Sequence, residues 1–118
     1  MRALMTGAAV VFCISAALSQ TIQKGDFSAD ATSEGWTLDR GTGVRTYIVF
    51  VKFDRAFEAP PTVLVSLTAF EAGGNHEGAI RISSRAENIT SAGFVIKLWT
   101  WGDSRVTSVG GSWIAIRQ

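Results

Sequence analysis

The stretch "FVIKLWTWGDSRVTSVGGSWIAIRQ" (residues 94–118) decides how this chain folds. In its first nine residues (94–102), Phe94, Ile96 and Leu98 alternate with Lys97, Trp99 and Trp101. A period of two places the first set on one face of a β-strand and the second on the other. Asp103-Ser104-Arg105 then turns the chain, and residues 106–118 read as a last strand. Gly110-Gly111 inside that strand marks a bulge or a close backbone approach. Three of the four tryptophans of the protein fall here, beside an unusual amount of polarity.

Working outward, the same pattern recurs and the helical period is almost absent. Residues 45–54, "RTYIVFVKFD", form a β-branched and aromatic run. Pro60-Pro61 in "RAFEAPP" cannot sit in a central ladder. A second strong strand follows at 62–70. Residues 79–88 alternate again, with Ile80, Ile82 and Ser84 opposing Arg81, Ser83 and Arg85. "TIQKGDF" (21–27) is a short first strand, and 28–44 is loop-like, with three glycines among small polar residues. Residues 71–78 form a loop holding His76, the only histidine. The expectation is six strands, no helix and turn signals every ten or so residues, which is an all-β, six-stranded antiparallel β-sandwich.

The chain of 118 residues has room for one domain. Its first residues, "MRALMTGAAVVFCISAALSQ", carry one Arg, an apolar run and a small-x-small site at Ala17-Leu18-Ser19. That pattern is a signal peptide over 1–19, leaving a secreted domain over 20–118 and no inserted segment. Cys13, the one cysteine, lies in the leader, so the mature chain has neither disulfide nor thiolate chemistry. Without Arg2, ten basic side chains face ten acidic ones. A net charge of zero draws the protein to neither nucleic acid nor an anionic membrane, and it suits a defined oligomer.

The motif search for catalysis yields little. A His-containing triad would have to be built on His76, and no Asp or Ser is placed by motif to serve it. No loop shows the spacing of acidic metal ligands, so no metal and no cofactor are expected. Asp39, Glu71, Glu77 and Asp103 lie in loops, where exposed acids are the norm. A neutral polar ligand such as a sugar fits better. It asks for an aromatic plane, a forked donor and a carboxylate acceptor. Trp99 and Trp101, followed by Asp103 and Arg105, supply those parts, and Arg81 is a fork donor in an otherwise apolar run. Among the aromatics, Trp101 beside a Gly at a strand end is the ligand candidate. Trp99 stays open between ligand and subunit interface. Trp113 belongs to the core or an interface, Trp36 packs over the sheet, and Arg85 is an outward-facing or interface charge. Asn88-Ile89-Thr90 matches a glycosylation sequon, but turn chemistry is the preferred reading.

The order of these pieces resembles the H-type lectins, the domain of the snail agglutinins and of the discoidin C-terminal region. The matching segments are "IQKGDF", "FVKFDRAFEAPPTVLVSL", "IRISSRAENITSAGF" and "TWGDSRVTSVGGSWIAI". The resemblance implies a sandwich that assembles as trimers, sometimes stacked as hexamers, and that binds N-acetylgalactosamine or galactose-type glycans without metal or catalysis. It assigns Arg81 to the sugar hydroxyls and Trp101 to the sugar and N-acetyl pocket. Gly102 takes a contact position with backbone alone. Thr107 stands where a residue reaches a neighbouring subunit's sugar, and Asp39 occupies the acceptor role in a shortened loop. Asp103 is the alternative acceptor. The competing expectation is a trimeric structural or adhesion module of the same fold that binds protein or another polymer.

Overall fold

In the computed structural model, residues 21–73 and 78–118 are described. The expected leader and its Cys13, together with His76 and Glu77, lie outside them. Six strands follow in chain order: β1 (Thr21–Asp30), β2 (Arg45–Lys52), β3 (Thr62–Ala72), β4 (Ser83–Glu87), β5 (Gly93–Thr100) and β6 (Val106–Arg117). They form two three-stranded sheets, β1-β6-β3 and β2-β5-β4. Every pairing within them is antiparallel. The all-β sandwich read from the sequence is the fold, and among the described residues no helix is long and apolar enough to cross a membrane.

The alternation in 94–102 determines the inner face as expected: Phe94, Ile96 and Leu98 are buried. From the other sheet, Phe27, Ala29, Val109, Trp113 and Ala115 face them. Trp113 is a core residue, 5.3 Å from the Phe94 ring and 5.8 Å from that of Phe53. Phe53 also meets Phe57 at 4.8 Å, so aromatic rings close the end of the sandwich where the 53–61 connection crosses. Trp36 packs inside as well, with its indole N–H donating to the Val106 carbonyl at 3.0 Å.

Gly110-Gly111 is both things the sequence allowed. The register of β3 slips between Leu67 and Ala69 opposite these glycines, a bulge at Thr68. A Cβ on Gly111 would stand 2.2 Å from the Ser66 carbonyl oxygen and 2.6 Å from the Phe27 ring, so only glycine fits.

Several strand boundaries differ from the reading: β2 ends at Lys52 and β5 at Thr100, and β3 runs on through Glu71 and Ala72, which the sequence placed in a loop, because their ladder with β6 continues. β1 continues through Asp30 instead of stopping at Phe27, because the ladder with β6 persists to Ser108 and Ala29 is an inward residue. The 79–88 strand shortens to Ser83–Glu87. Its first residues leave the ladder because side chains take their backbone groups. The Arg81 N–H donates to Ser104 Oγ at 2.9 Å, and Thr100 Oγ1 donates to the Arg81 carbonyl. At the other connection Asn88 adopts φ 53°, and Thr90 Oγ1 accepts from the N–H groups of Ala92 and Gly93. Asn88 and Thr90 thus serve the turn.

Candidate functional site

The topology sorts the connections. Residues 31–44, 78–82 and 101–105 lie at one end, while 53–61, 88–92 and the outer ends of β1 and β6 lie at the other. Asp39, Arg81, Trp101, Gly102 and Asp103 therefore share one end, and Thr107 is the second residue of β6 beside them.

Register refines this. On the outer face of β2-β5-β4, Thr46 pairs with Trp99 and Ser83 with Trp99, so these three form a row. Two residues beyond this row, past the last paired residues of the ladders, come Val44, Trp101 and Arg81, where strand alternation would put them on the outer side. Their exposure agrees: Val44 is 71% and Trp101 38% accessible. The Arg81 guanidinium lies directly over Gly102, where a Cβ would sit 2.9 Å from its Nη1. Gly102 also holds φ 71°, a left-handed conformation that other residues adopt at a cost. The glycine that deprives the site of a side chain thus makes room for the arginine beside Trp101.

The acids divide. Asp103 Oδ1 is 3.8 Å from Arg81 Nη1 and faces solvent. Asp39 is turned to its neighbour: Arg40 Nε donates to Asp39 Oδ1 at 2.8 Å, which holds the carboxyl below its usual value. Its backbone carbonyl accepts from Arg105 Nη1. Asp39 therefore sits at the same end but on the Arg105 flank, with its charge already partnered. Thr107 donates to the Glu71 carbonyl at 3.2 Å, on the β1-β6-β3 side of that end. The structure brings Arg81, Trp101, Gly102 and Asp103 together, and sets Asp39 and Thr107 apart from that group.

The residues that fix this geometry escaped sequence reasoning. Arg45, the first residue of β2, is buried. Its guanidinium donates to four backbone carbonyls: Gly43 at 3.0 Å, Arg40 at 2.7 Å, Ser104 at 2.9 Å and Gly102 at 3.0 Å. A rigid planar fork is suited to that task. The Gly43 N–H adds a bond to the Gly102 carbonyl at 3.0 Å. Ser104, fully buried, accepts from the Arg81 N–H and donates to the Ala79 carbonyl at 3.3 Å. One arginine and one serine thus lash the 31–44, 78–82 and 101–105 segments together. The available signal was weak: an arginine opening an apolar strand, and a serine between two charged residues.

Lower on the same outer face, Trp99 points outward and is half-buried. Lys97 Nζ lies 5.2 Å and the Arg85 guanidinium carbon 5.4 Å from its ring centre. Arg85 is outward, as expected, and pairs with Glu87 at 2.6 Å. A cleft of about 700 Å³ lies elsewhere, over the outer face of β1-β6-β3 along Leu64, Ser66, Ser112 and Ile114. None of the candidate site residues lines it.

A cysteine-free β-sandwich presenting an arginine and a tryptophan at the loop end of one sheet has the form of a small recognition domain. The family model of the H-type lectin domain matches residues 48–116, and the chain belongs to that family. It is 37% identical over 84 residues to a protein of Fuscovulum blasticum described as ATP synthase subunits region ORF 7, covering 71% of each chain. It is 31% identical over 96 residues to Discoidin-2 of Dictyostelium discoideum, covering 81% of this chain and 35% of that one. The solved structure of discoidin II superposes with a TM-score of 0.74 at 30% identity, over 85% of this chain and 38% of the other. The present chain thus spans little more than a third of the discoidins it matches. The tailspike protein gp49 of Pseudomonas phage LKA1, at 20% identity and a TM-score of 0.57, shares the fold.

Proposed function

We infer that this protein is a secreted, non-catalytic lectin that takes a galactose or N-acetylgalactosamine-type sugar at the loop end of β2-β5-β4. The observation that carries the reading is the Arg81 guanidinium resting over Gly102, the residue next to Trp101. An indole plane offers the apolar sugar face a surface, and the fork beside it donates to ring hydroxyls. Asp103, 3.8 Å from Arg81 and exposed, is the acceptor in reach. Asp39 closes the neighbouring loop, and Gly102 contributes backbone. A site this shallow binds weakly, and a trimer or hexamer carrying several copies at its subunit boundaries supplies avidity. Thr107, on the flank of the same end, is the position from which a neighbouring subunit would reach the sugar.

The test is a glycan array probed with the purified oligomer, with Arg81→Ala alongside. Binding to galactose or N-acetylgalactosamine glycans is expected, and the variant should lose at least roughly tenfold in affinity, since hydrogen bonds from a charged donor are the strong ones. Its oligomeric state should be unchanged. No signal on any such glycan would remove the sugar assignment.

One observation favours a second reading, a trimeric structural or adhesion module. The Asp39 carboxylate is committed to Arg40 instead of standing free as an acceptor. Under that reading Asp103→Ala and Arg81→Ala leave the assembly's adhesion to its polymer or protein partner intact.

A further inference from the structure

The outer face of β2-β5-β4 continues past Trp101 and Arg81 into the paired strands. The next row down is Thr46, Trp99 and Ser83, and the one below it Ile48, Lys97 and Arg85. Residues two apart on a strand stand roughly 7 Å from each other on one face. Trp99 is therefore one row from Trp101, with its indole outward and half-buried. Two cations gather at its ring, Lys97 at 5.2 Å and Arg85 at 5.4 Å. Arg85 spends its charge partly on Glu87, the one acid on this part of the face. Lys97 has no ion pair among the described residues. An aromatic held beside an unneutralised ammonium, one row from a sugar position, is a place for a polar ring carrying negative charge.

We propose that Trp99, Lys97 and Arg85 form a second subsite that takes an acidic sugar, a uronate or sialate residue, joined to the neutral sugar at Trp101. The proposal rests on the lectin reading of the Trp101–Arg81 site. Lys97 and Arg85 meet the carboxylate, and the edge of Trp99 bounds the ring. Ser83 and Thr46, on either side of Trp99, offer hydroxyls to a hydrated ligand. The contact is solvent-exposed, so it adds selectivity between glycans more than raw affinity, and salt weakens it.

The experiment compares two probes on the intact protein by titration: a simple N-acetylgalactosaminide and the same glycoside carrying a linked sialic acid. At low salt the sialylated probe should bind about fivefold tighter, and the advantage should shrink at high salt. Lys97→Gln should remove the advantage while leaving the neutral probe's affinity unchanged. Equal binding of the two probes, or a loss on both alike in Lys97→Gln, would overturn the subsite. Binding of neither probe overturns the sugar reading and the subsite together, whereas neutral binding without an acidic preference overturns the subsite alone. Gel filtration of Lys97→Gln is part of the test. A changed oligomeric state would show that this face packs against a second copy, and that too would overturn the proposal.

Discussion

The two ends of the sandwich are held by different physics. At the end crossed by 53–61, Phe53, Phe57, Phe94 and Trp113 pack ring against ring, with centroids 4.8 to 5.8 Å apart. At the other end the connections are held by polar side chains that bond backbone carbonyls, above all Arg45 and Ser104. Burial of large apolar surface is strong but tolerant of small displacements. Hydrogen bonds are weaker in sum but directional, and they fix where a backbone lies. The site end also buries Trp36, Leu38 and Val106, but what fixes its backbone is this polar lashing, and the candidate site rests on it.

The comparison breaks most visibly at its aromatic side. Phe53→Ala removes a ring in contact with three others and leaves a cavity, at an expected cost of about 3–5 kcal/mol. Urea denaturation should show the midpoint fall sharply. Sugar affinity of the molecules still folded should be unchanged, because no bond at the site end depends on Phe53. A parallel loss of affinity in fully folded protein would show that the two ends are coupled.

Arg45→Lys probes the opposite end. A lysine keeps the charge but cannot serve four carbonyls spread across two connections. Carbonyls left without partners in a buried setting make a loss of about 2–3 kcal/mol in stability the expected result. The sharper consequence is at the site. Gly102 and Ser104 lose their anchor, so Arg81 and Trp101 lose their common support. Glycan affinity should fall even in conditions where circular dichroism reports a fully folded sandwich. If affinity survives while stability falls, Arg45 is a core residue only.

The difference between the ends also explains what could be read in the sequence. Apolar alternation in residues 94–100 and 106–117 exposes the inner faces directly, because burial has the period of the strand. Arg81 and Trp101 were visible as polar or aromatic exceptions inside such runs. The anchoring of the site end was not visible. Arg45 reaches Ser104 across 59 residues, and Ser104 reaches Arg81 across 23. A bond between a side chain and a distant carbonyl leaves no local period. The same absence explains the overlong 79–88 strand: the alternation continues through Arg81, but the ladder is replaced there by Ser104 and Thr100. Asp39 shows the reverse error of emphasis. Its partner is the next residue, Arg40, yet one-residue spacing on an exposed loop carries no pattern to read.

The smallest expected effect concerns that pair, and it sharpens the boundary of the site. The hydrogen bond from Arg40, and then its charge, favour the ionised Asp39 carboxyl and hold it below the ordinary 3.8. A carboxyl lowered in the folded state contributes stability that is present above its unfolded value and is lost as pH falls through the lower folded one. Asp39 is therefore charged throughout the neutral range, and its pairing changes only in acid. Both partners lie at the surface, so the effect on stability is slight. Carbon-detected NMR should place the Asp39 midpoint below 3.8, and Arg40→Ala should raise it toward that value. The informative measurement is glycan affinity in Arg40→Ala at neutral pH. If Asp39 is only a loop clasp, affinity stays as it was. A rise would mean that the released carboxylate has turned toward the sugar, and that Arg40 competes with the ligand for it.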